Sequence, residues 1–217
     1  MTITYIILTH GENQVFGLIN FLKQHKDTED KLWVLNDPTT EDYLTQLKKT
    51  NCYIINHKLD KDYSTHRNIA VNKVTTDYFF FLDADEELTE RLMKNIKAIL
   101  KEYKYPDLVW IPRVNIFKGV KPIHALMWNW TLTGEVCNYP DMQSRLAKSR
   151  KGISFCGKLH ERLKTDPKIH KVIQLPINSE LDILHRKSIE TQITQNEYYN
   201  KEFSLEENSG QSTMNQL

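Results

Sequence analysis

The sequence predicts an α/β fold in which helices flank a mostly parallel central sheet. In the first half, short runs rich in β-branched and aromatic residues alternate with segments of helical periodicity, in the order β-α-β-α-β-α-β. Such alternation favours parallel strands joined by crossover helices. The 217 residues suffice for one domain with a substantial core, and contents of 40% hydrophobic and 26% charged residues are typical of a soluble globular protein.

The first half supplies four strands and four helices. The first helical segment places Val15, Leu18, Ile19 and Leu22 on one face. Ser64 is in position to cap the third helix. The predicted strands cover residues 3–9, 31–37, 52–57 and 78–85, and the predicted helices cover residues 13–25, 41–49, 64–74 and 89–100.

The second half has a less regular pattern. Residues 107–117 are typical of a strand, in which Pro112 indicates an edge position or a bend. Residues 121–140 have the pattern of a loop, where the rings of Trp128 and Trp130 either pack beneath the loop or stack on a sugar. Then follow short sheet and turn elements at 142–148 and 152–163, a final helix at 188–203, and a polar tail at 204–217 that we expect to be disordered.

The most informative segment is FFFLDADEEL, residues 79–88, in which an apolar strand runs directly into carboxylates. Alternate side chains of an extended segment point the same way, so Asp83 and Asp85 share one side while Ala84 points to the other. Two carboxylates about 4 Å apart repel by roughly 1 kcal/mol in water and about 4 kcal/mol in a half-buried site, and a bound cation would reverse that cost. The polar residues at the strand ends, where such sheets bind ligands, are Thr9, Asn36, Asp37, Asp83 and Asp85.

Other interpretations of the acidic segment have less support. A solvated loop that starts a helix accounts for Glu86, Glu87 and Glu90, but not for Asp83 at the end of the apolar run. A haloacid-dehalogenase-type phosphatase would need Thr or Val where Glu87 stands. His160 lacks the second histidine of a zincin helix four residues later, and no glycine-rich phosphate loop occurs.

Charge and cysteine content exclude several classes of function. A formal net charge of +1 leaves no excess of Lys and Arg for a nucleic-acid binder that depends on phosphate neutralisation. Cys52, Cys137 and Cys156 indicate neither a disulfide framework nor a zinc knuckle, and a cytoplasmic location is expected. No segment has the length of a membrane span or the pattern of a signal peptide, which leaves peripheral membrane contact open.

Several ordered motifs together resemble the family 2 glycosyltransferases of GT-A fold. They are YIILTHGEN at the first strand, WVLNDPTTED at the second, and HRNIAVNKVTTDYFFFLDADEEL, an Arg-Asn helix followed by an Asp-x-Asp signature. Later, YPDMQSRLAKSRKGISFCGKLHERL and ILHRKSIETQITQNEYY resemble the branch that includes lipopolysaccharide-core glucosyltransferases and peptide S-glycosyltransferases. The likeness covers residues 2–203, and the agreement of several motifs makes it more specific than any one of them.

The resemblance implies a GT-A-like domain at residues 1–203, with a Rossmann-like nucleotide-sugar-binding half at 1–105 and an irregular acceptor half at 106–203. It implies that Thr9 and Asp37 line the nucleobase pocket and that Arg67 lies near the donor phosphates. Asp83 would meet the ribose and the shell of the metal, and Asp85 would bind a divalent ion that bridges the diphosphate. Oxygen ligands suit Mn²⁺ or Mg²⁺ in such a site. The sequence departs from the family pattern at two of the expected nucleobase contacts. The first strand is followed by Thr9-His10-Gly11, and the second-strand turn has a single acid, in Asn36-Asp37.

Transfer to an acceptor hydroxyl needs a base opposite the leaving group. Asp141 is the first candidate, because it stands in a predicted loop-to-helix turn, and Glu161 is the second. Asp141 could instead cap the helix that follows it. His160 could complete the metal or diphosphate site, or it could be structural. Arg145 either pairs with a carboxylate or binds phosphate, and His185 is assigned a structural role.

The sequence therefore predicts a metal-dependent, inverting glycosyltransferase of hexosyltransferase type. Its donor would be a nucleotide-diphosphate sugar, with a UDP-sugar favoured, and its acceptor a saccharide or other glycoconjugate. Two alternatives stay open, a non-catalytic nucleotide-sugar or glycan binding protein of the same fold and a nucleotidyltransferase. The second has less support because the chain lacks a glycine-rich, basic N-terminal loop. No oligomeric state follows from the sequence.

Overall fold

A computed structural model describes residues 1–203, and the predicted tail at 204–217 lies outside these described residues. The first half contains the predicted alternation of strands and helices. Its elements are β1 Ile3–Thr9, α1 Gln14–His25, β2 Lys31–Asn36, α2 Glu41–Lys49, β3 Tyr53–Asn56, α3 Tyr63–Val71, β4 Tyr78–Asp83, β5 Glu86–Leu88 and α4 Glu90–Glu102.

The second half contains more strand than its pattern predicts. Its elements are β6 Leu108–Lys118, α5 Pro122–Trp128, β7 Leu132–Thr133, β8 Val136–Lys148, β9 Ser154–Cys156, β10 Arg162–Lys164, β11 Val172–Gln174, β12 Ile183–Ser188 and α6 Ile189–Glu202. None of the described helices is long and apolar enough to cross a membrane.

One large sheet organises these elements in the order β3-β2-β1-β4-β8-β6-β12-β5. The strands β3, β2, β1 and β4 are parallel to one another, β8 runs antiparallel between β4 and β6, and β12 is parallel to β6. The prediction of an α/β fold with a mostly parallel central sheet is confirmed. Because the parallel strands end at one edge, the polar residues that follow them are brought together there.

Both faces of β4 are buried, which explains its unbroken apolar run. Phe80 and Leu82 belong to a core cluster beneath α1, α2 and α4, whereas Phe79 and Phe81 belong to the cluster on the opposite face, beneath α3. All four side chains are fully buried. A strand with helices on both faces has no reason to alternate apolar and polar residues.

The cap of α3 is a correction to the sequence prediction. Asp62, not Ser64, is the N-cap, and its carboxylate accepts the backbone N–H of Thr65 at 2.9 Å. The Ser64 hydroxyl donates to the same carboxylate at 2.8 Å. A charged carboxylate at this end is also favoured by the helix dipole.

Pro112 lies in an interior strand, so the predicted edge position is wrong. It pairs with Met142 of β8 on one side of β6. On the other side, β11 pairs with Leu108 to Trp110 and β12 pairs from Arg113 onward. Pro112 therefore occupies the gap between two partner strands, where its missing N–H leaves no ladder bond unmade.

The predicted loop at 121–140 contains regular structure. Pro122–Trp128 forms α5, with proline in the first turn, and Val136 begins β8. Residues 142–148, predicted as a short sheet and turn element, continue β8, so no helix directly follows Asp141. Asp141 is thus a strand residue that faces Arg113 across the ladder, which rules out its role as a helix cap.

Removal of core volume in β4 should destabilise the whole domain. Leu82→Ala removes a fully buried side chain that packs between helices and sheet, and we expect a loss of about 2–5 kcal/mol in the free energy of unfolding. Chemical denaturation followed by circular dichroism measures this loss. Leu126→Ala is the matched control, because Leu126 is 79% exposed and its truncation should change stability by less than about 0.5 kcal/mol. Equal effects of the two substitutions would contradict the assignment of β4 to the core.

Candidate functional site

A cleft of about 1000 Å³ opens at the carboxyl edge of the sheet. Asp83 at the end of β4 and Asp85 just beyond it both line this cleft, and Ala84 between them borders it while its side chain, 3% exposed, packs in the core. The other charged residues of the cleft wall come from elements distant in sequence. With the histidines counted, they are His10, Glu12, Arg67, Arg113, Asp141, Arg145, His160, Glu161, Arg162, His185 and Lys187.

Two arginines hold the first aspartate of the Asp-x-Asp motif. Arg67 of α3 and Arg145 of β8 each place Nη2 at 2.6 Å from a different oxygen of Asp83. Arg67 also donates through Nε to Glu161 at 2.5 Å. Burial raises the pKa of Asp83, but Arg145 and Arg67 lower it by more, so its pKa lies well below the ordinary value. Asp83 is therefore ionised and already paired on both oxygens.

The network continues through a buried glutamate. Glu86 is 1% exposed, and its Oε1 accepts from Arg145 at 2.6 Å and from Arg113 at 3.0 Å. Arg113 Nη2 in turn donates to Asp141 Oδ2 at 2.7 Å. The interpretation of Glu86 as part of a solvated loop is thus wrong, because two guanidinium groups beneath the sheet edge need its charge. The signal in the sequence was the pair Arg113 and Arg145, which lie within apolar strand segments, where a charge rarely stays without a partner.

Three side chains hold Asp141 in place. Its Oδ2 accepts from Arg113 and from Asn115 Nδ2 at 3.0 Å, and its Oδ1 accepts from Gln143 Nε2 at 2.7 Å. Burial raises the pKa of Asp141, but Arg113 and the amide donors lower it by more, so the net pKa is below the ordinary value. At neutral pH this side chain is a fixed, ionised acceptor on the cleft wall.

A chain of polar contacts connects Asp141 to Asp85. Asn115 donates its amide N–H₂ to Asp141, so its oxygen faces His185 Nδ1 at 2.8 Å. That oxygen only accepts, and Nδ1 of His185 must therefore carry a proton. Nε2 of His185 lies 3.2 Å from Asp85 Oδ2. Two unprotonated acceptors at this distance would repel, so a proton or a cation belongs between them.

Asp85 is more open to a cation than Asp83 is. Its carboxylate is of the kind that binds Mn²⁺ or Mg²⁺, with the imidazole of His185 beside it as a softer nitrogen ligand, whereas the oxygens of Asp83 are both engaged by arginines. Lys187 Nζ lies 3.6 Å from Asp85 and helps to keep it ionised. Within residues 1–203 no group of three or more His, Cys, Asp or Glu side chains is arranged to hold a metal, so donor oxygens or water would complete the shell.

Of the two histidines His160 and His185, both of which line the cleft, only His185 contacts Asp85 among the described residues. His160 is exposed, and its ring meets the ring of Tyr199 at a centroid distance of 6.2 Å. His185, to which the sequence assigns a structural role, is the histidine that contacts Asp85. The metal role of His160 stays a prediction. The signal that points to His185 is spatial, because one hundred residues separate it from Asp85.

Thr9 and Asp37 lie next to the cleft rather than among its lining residues. Thr9 is fully buried and its hydroxyl is bonded to Glu12 and to Tyr43. Asp37 accepts the N–H of Leu59 at 3.0 Å and lies 3.2 Å from His10 Nδ1. Their neighbours His10 and Glu12 reach the cleft. The role of Thr9 and Asp37 in base binding stays a prediction.

A second, smaller hollow lies beside this region. It contains His57 and His66, whose Nδ1 atoms are 3.0 Å apart. Burial, together with the neighbouring histidines His10 and His57, lowers the pKa of His66 to about 4, so this ring is neutral at physiological pH. One of the two Nδ1 atoms must then donate and the other accept.

Comparison with known proteins gives one family. The model described as Glycosyl transferase family 2 matches residues 5–163. The teichoic acid poly(glycerol phosphate) polymerase of Staphylococcus epidermidis is 31% identical over 91 residues, which are 38% of this chain and 13% of that protein.

Solved structures of similar fold include S. aureus TarS 1-349 in complex with UDP-GlcNAc. It aligns with a TM-score of 0.51 at 16% identity and covers 83% of this chain and 60% of that one. The longer S. aureus TarS aligns with a TM-score of 0.47 at 22% identity, over 56% of this chain and 23% of that one. The chain spans less than two thirds of each of these relatives. At this identity the likeness to TarS 1-349 concerns the fold, which is GT-A.

The arginine network should make a large contribution to stability. Arg145→Met leaves Glu86 with one partner and Asp83 with one, and we expect a loss of about 3–5 kcal/mol in the free energy of unfolding, because a buried charge loses its compensation. Denaturant titration measures it. Arg91→Met is the matched control, since the exposed pair of Arg91 and Glu180 should contribute less than about 1 kcal/mol. A cost for Arg145→Met no greater than that of the control would refute the network's structural role.

Proposed function

The chain belongs to glycosyl transferase family 2, and on this premise we propose that it transfers a sugar from a nucleotide-diphosphate donor to an acceptor hydroxyl, with inversion and with a divalent metal. The observation that carries the proposal is the arrangement of Asp83, Asp85 and Asp141 on the wall of one cleft at the carboxyl edge of a GT-A sheet. A UDP-sugar is the favoured donor, because the TarS structure of similar fold holds UDP-GlcNAc. A saccharide is the favoured acceptor.

The donor would lie along the ends of the parallel strands. We assign the nucleobase to the region of Thr9, His10 and Asp37, and the ribose to the neighbourhood of Asp83, which Arg67 holds in one orientation. Arg67 lines the cleft, but its Nη1 is buried and has no protein partner among the described residues, so its part here is to orient Asp83. A guanidinium that fixes a carboxylate in this way also places its positive charge near the proposed donor phosphates.

Asp85 and His185 would hold the Mn²⁺ or Mg²⁺ ion. When bound, such an ion offsets the negative charge that develops on the departing diphosphate. The protein's own part is to hold both ligand side chains still, through Lys187 beside Asp85 and Asn115 on the far nitrogen of His185. A hydrogen bond to the second ring nitrogen is the usual way to orient a metal-binding histidine.

Asp141 is our proposed base. It accepts the proton of the acceptor hydroxyl as the new C–O bond forms at the anomeric carbon and the bond to the diphosphate oxygen breaks, with the electron pair leaving on the nucleoside diphosphate. Its ionised state and its fixed orientation by Arg113 and Asn115 suit this role. Glu161 instead shares Arg67 with Asp83, and so we assign it to positioning on the donor side.

Donor binding should depend on the metal and on Asp85. We expect UDP or a UDP-sugar with Mn²⁺ or Mg²⁺ at a hundred times the dissociation constant to add about 2.7 kcal/mol of stability in thermal unfolding, and a chelator to abolish most of this gain. Asp85→Asn should lose the metal-dependent part. Asp42→Asn, an exposed change in the first turn of α2, is the control that should keep it. A shift by no nucleoside diphosphate in the wild type would favour a different function, and a full shift in Asp85→Asn would remove Asp85 from the metal site.

Loss of the base should affect chemistry rather than donor binding. With UDP-sugars and a panel of saccharide acceptors, Asp141→Asn should lower transfer by about 10²–10⁴-fold while the donor dissociation constant changes little. Glu161→Gln should instead raise the donor dissociation constant more than it lowers the transfer rate, because Arg67 loses one of its two carboxylate partners. Product formation and donor titration measure the two effects separately. Full transfer by Asp141→Asn would assign the base elsewhere, and donor binding without transfer by the wild type would favour a non-catalytic nucleotide-sugar binding protein.

A further inference from the structure

Two tryptophans form an aromatic surface on the cleft wall that the proposed chemistry does not use. Trp128 and Trp130 are half-buried, and both line the cleft that contains Asp85 and Asp141. Their rings lie 4.7 Å apart with an interplanar angle of 46°. Tryptophan rings buried only to pack a loop would not need to border a polar cleft of this kind. Any role of this surface in holding the acceptor rests on the proposed function and extends it.

The local backbone explains how the two rings come to the same side. Helix α5 ends at Trp128, and Asn129 adopts the left-handed conformation, with a φ of 54°. The N–H of Trp130 then returns to the carbonyl of Ala125 at 2.9 Å, which closes the helix end. The ring of His124, one turn earlier, stacks on Trp128 at an interplanar angle of 21°. The ring of His124 and the closed helix end therefore hold the two tryptophans in place.

This aromatic surface lies next to the reacting groups. Trp130 contacts Phe117 at 5.3 Å between ring centroids, Phe117 contacts His185 edge-on at 5.8 Å, and His185 reaches Asp85. The loop is also tied to the strand that carries the proposed base. Asn138, three residues before Asp141, accepts the N–H of Thr131 and donates its own N–H to the carbonyl of Thr131.

The indole groups also keep their polar atoms available. Within the part of the chain that the structure describes, neither Trp128 Nε1 nor Trp130 Nε1 has a hydrogen-bond partner, and neither atom is completely buried. Each can therefore donate to a ligand. The exposed side chains of Asn129 and Asn138 border the same stretch of the cleft and add amide donors and acceptors.

We propose that Trp128 and Trp130 form the acceptor subsite and hold a neutral pyranose ring by stacking against its apolar C–H face. Flat aromatic faces with a few polar groups at their edges match a sugar, which has apolar faces and a rim of hydroxyls. A polyol phosphate chain has no such face and would need free cations. Arg113 and Lys187, two cations of the cleft wall, are already paired with carboxylates, which favours the sugar.

The test is a ligand-observed NMR titration of the full chain with UDP and Mg²⁺ present. The probes are the methyl β-glycosides of glucose, galactose and N-acetylglucosamine, with sn-glycerol 3-phosphate as the contrasting probe. We expect at least one glycoside to bind and sn-glycerol 3-phosphate not to compete with it. Trp128→Ala and Trp130→Ala should each weaken that glycoside by about tenfold, the loss expected for one stacked ring.

Matched variants separate stacking from support of the fold. Trp130→Phe keeps an aromatic face and should bind the glycoside within about threefold of the wild type, whereas Trp130→Leu keeps bulk without the face and should behave like Trp130→Ala. Tyr103→Ala removes an aromatic ring that is 37% exposed and lies outside the cleft lining, and it should leave glycoside binding unchanged. The dissociation constant of UDP should stay the same in every variant.

Four results would overturn the assignment. They are the absence of binding by all three glycosides, unchanged glycoside binding in both alanine variants, equal binding by Trp130→Leu and Trp130→Phe, and tighter binding of sn-glycerol 3-phosphate than of any glycoside. Failure of UDP to bind the wild type is a separate result. It would count against the proposed donor, while glycoside binding can still be measured without UDP.

Discussion

The structure depends on the balance of three guanidinium groups against carboxylates at the carboxyl edge of the sheet. Arg67, Arg113 and Arg145 come from a helix and two strands, and each is held by two acids. Asp83 and Glu86 are each shared by two of these arginines, and Glu86 has almost no exposure. Since an unpaired charge in this position would cost several kcal/mol, the network favours the observed packing of these elements. The same arrangement aims Asp83 at the cleft.

The carboxylates at this edge therefore contribute unequally to stability and to the proposed chemistry. Asp83 is neutralised by two arginines and acts chiefly as a fixed, oriented carboxylate. Among the described residues, Asp85, two positions later, contacts His185 and Lys187 and no arginine, which is why we propose it as the ligand of the cation. The two aspartates of one motif thus have different partners, because β4 ends at Asp83 and the chain then turns toward β5. Their shared orientation was expected, but their unequal pairing was not.

The second half of the chain supplies what the first half lacks. The parallel strands end in groups suited to a nucleotide, whereas β6, β8 and β12 contribute the chain of contacts from Asp141 through Asn115 to His185. Beyond it lie the rings of Trp128 and Trp130. A donor bound along the first half, as we propose, would have Asp141 and the two tryptophans on its other side. The proposed acceptor role of the irregular half is compatible with membership of glycosyl transferase family 2.

The sequence by itself determined the α/β class, the order of the first elements and the common orientation of Asp83 and Asp85, because periodicity and strand pleating act over a few residues. Tertiary structure alone decided that Glu86 is buried, that His185 reaches Asp85 and that Asp141 lies in a strand. Each depends on pairing across long stretches of chain. Asp141, for example, follows a segment with the pattern of a loop, but it is held extended by the ladder between β8 and β6, where Arg113 needs its charge. Local preference is worth tenths of a kcal/mol per residue, and such a ladder with its ion pairs outweighs it.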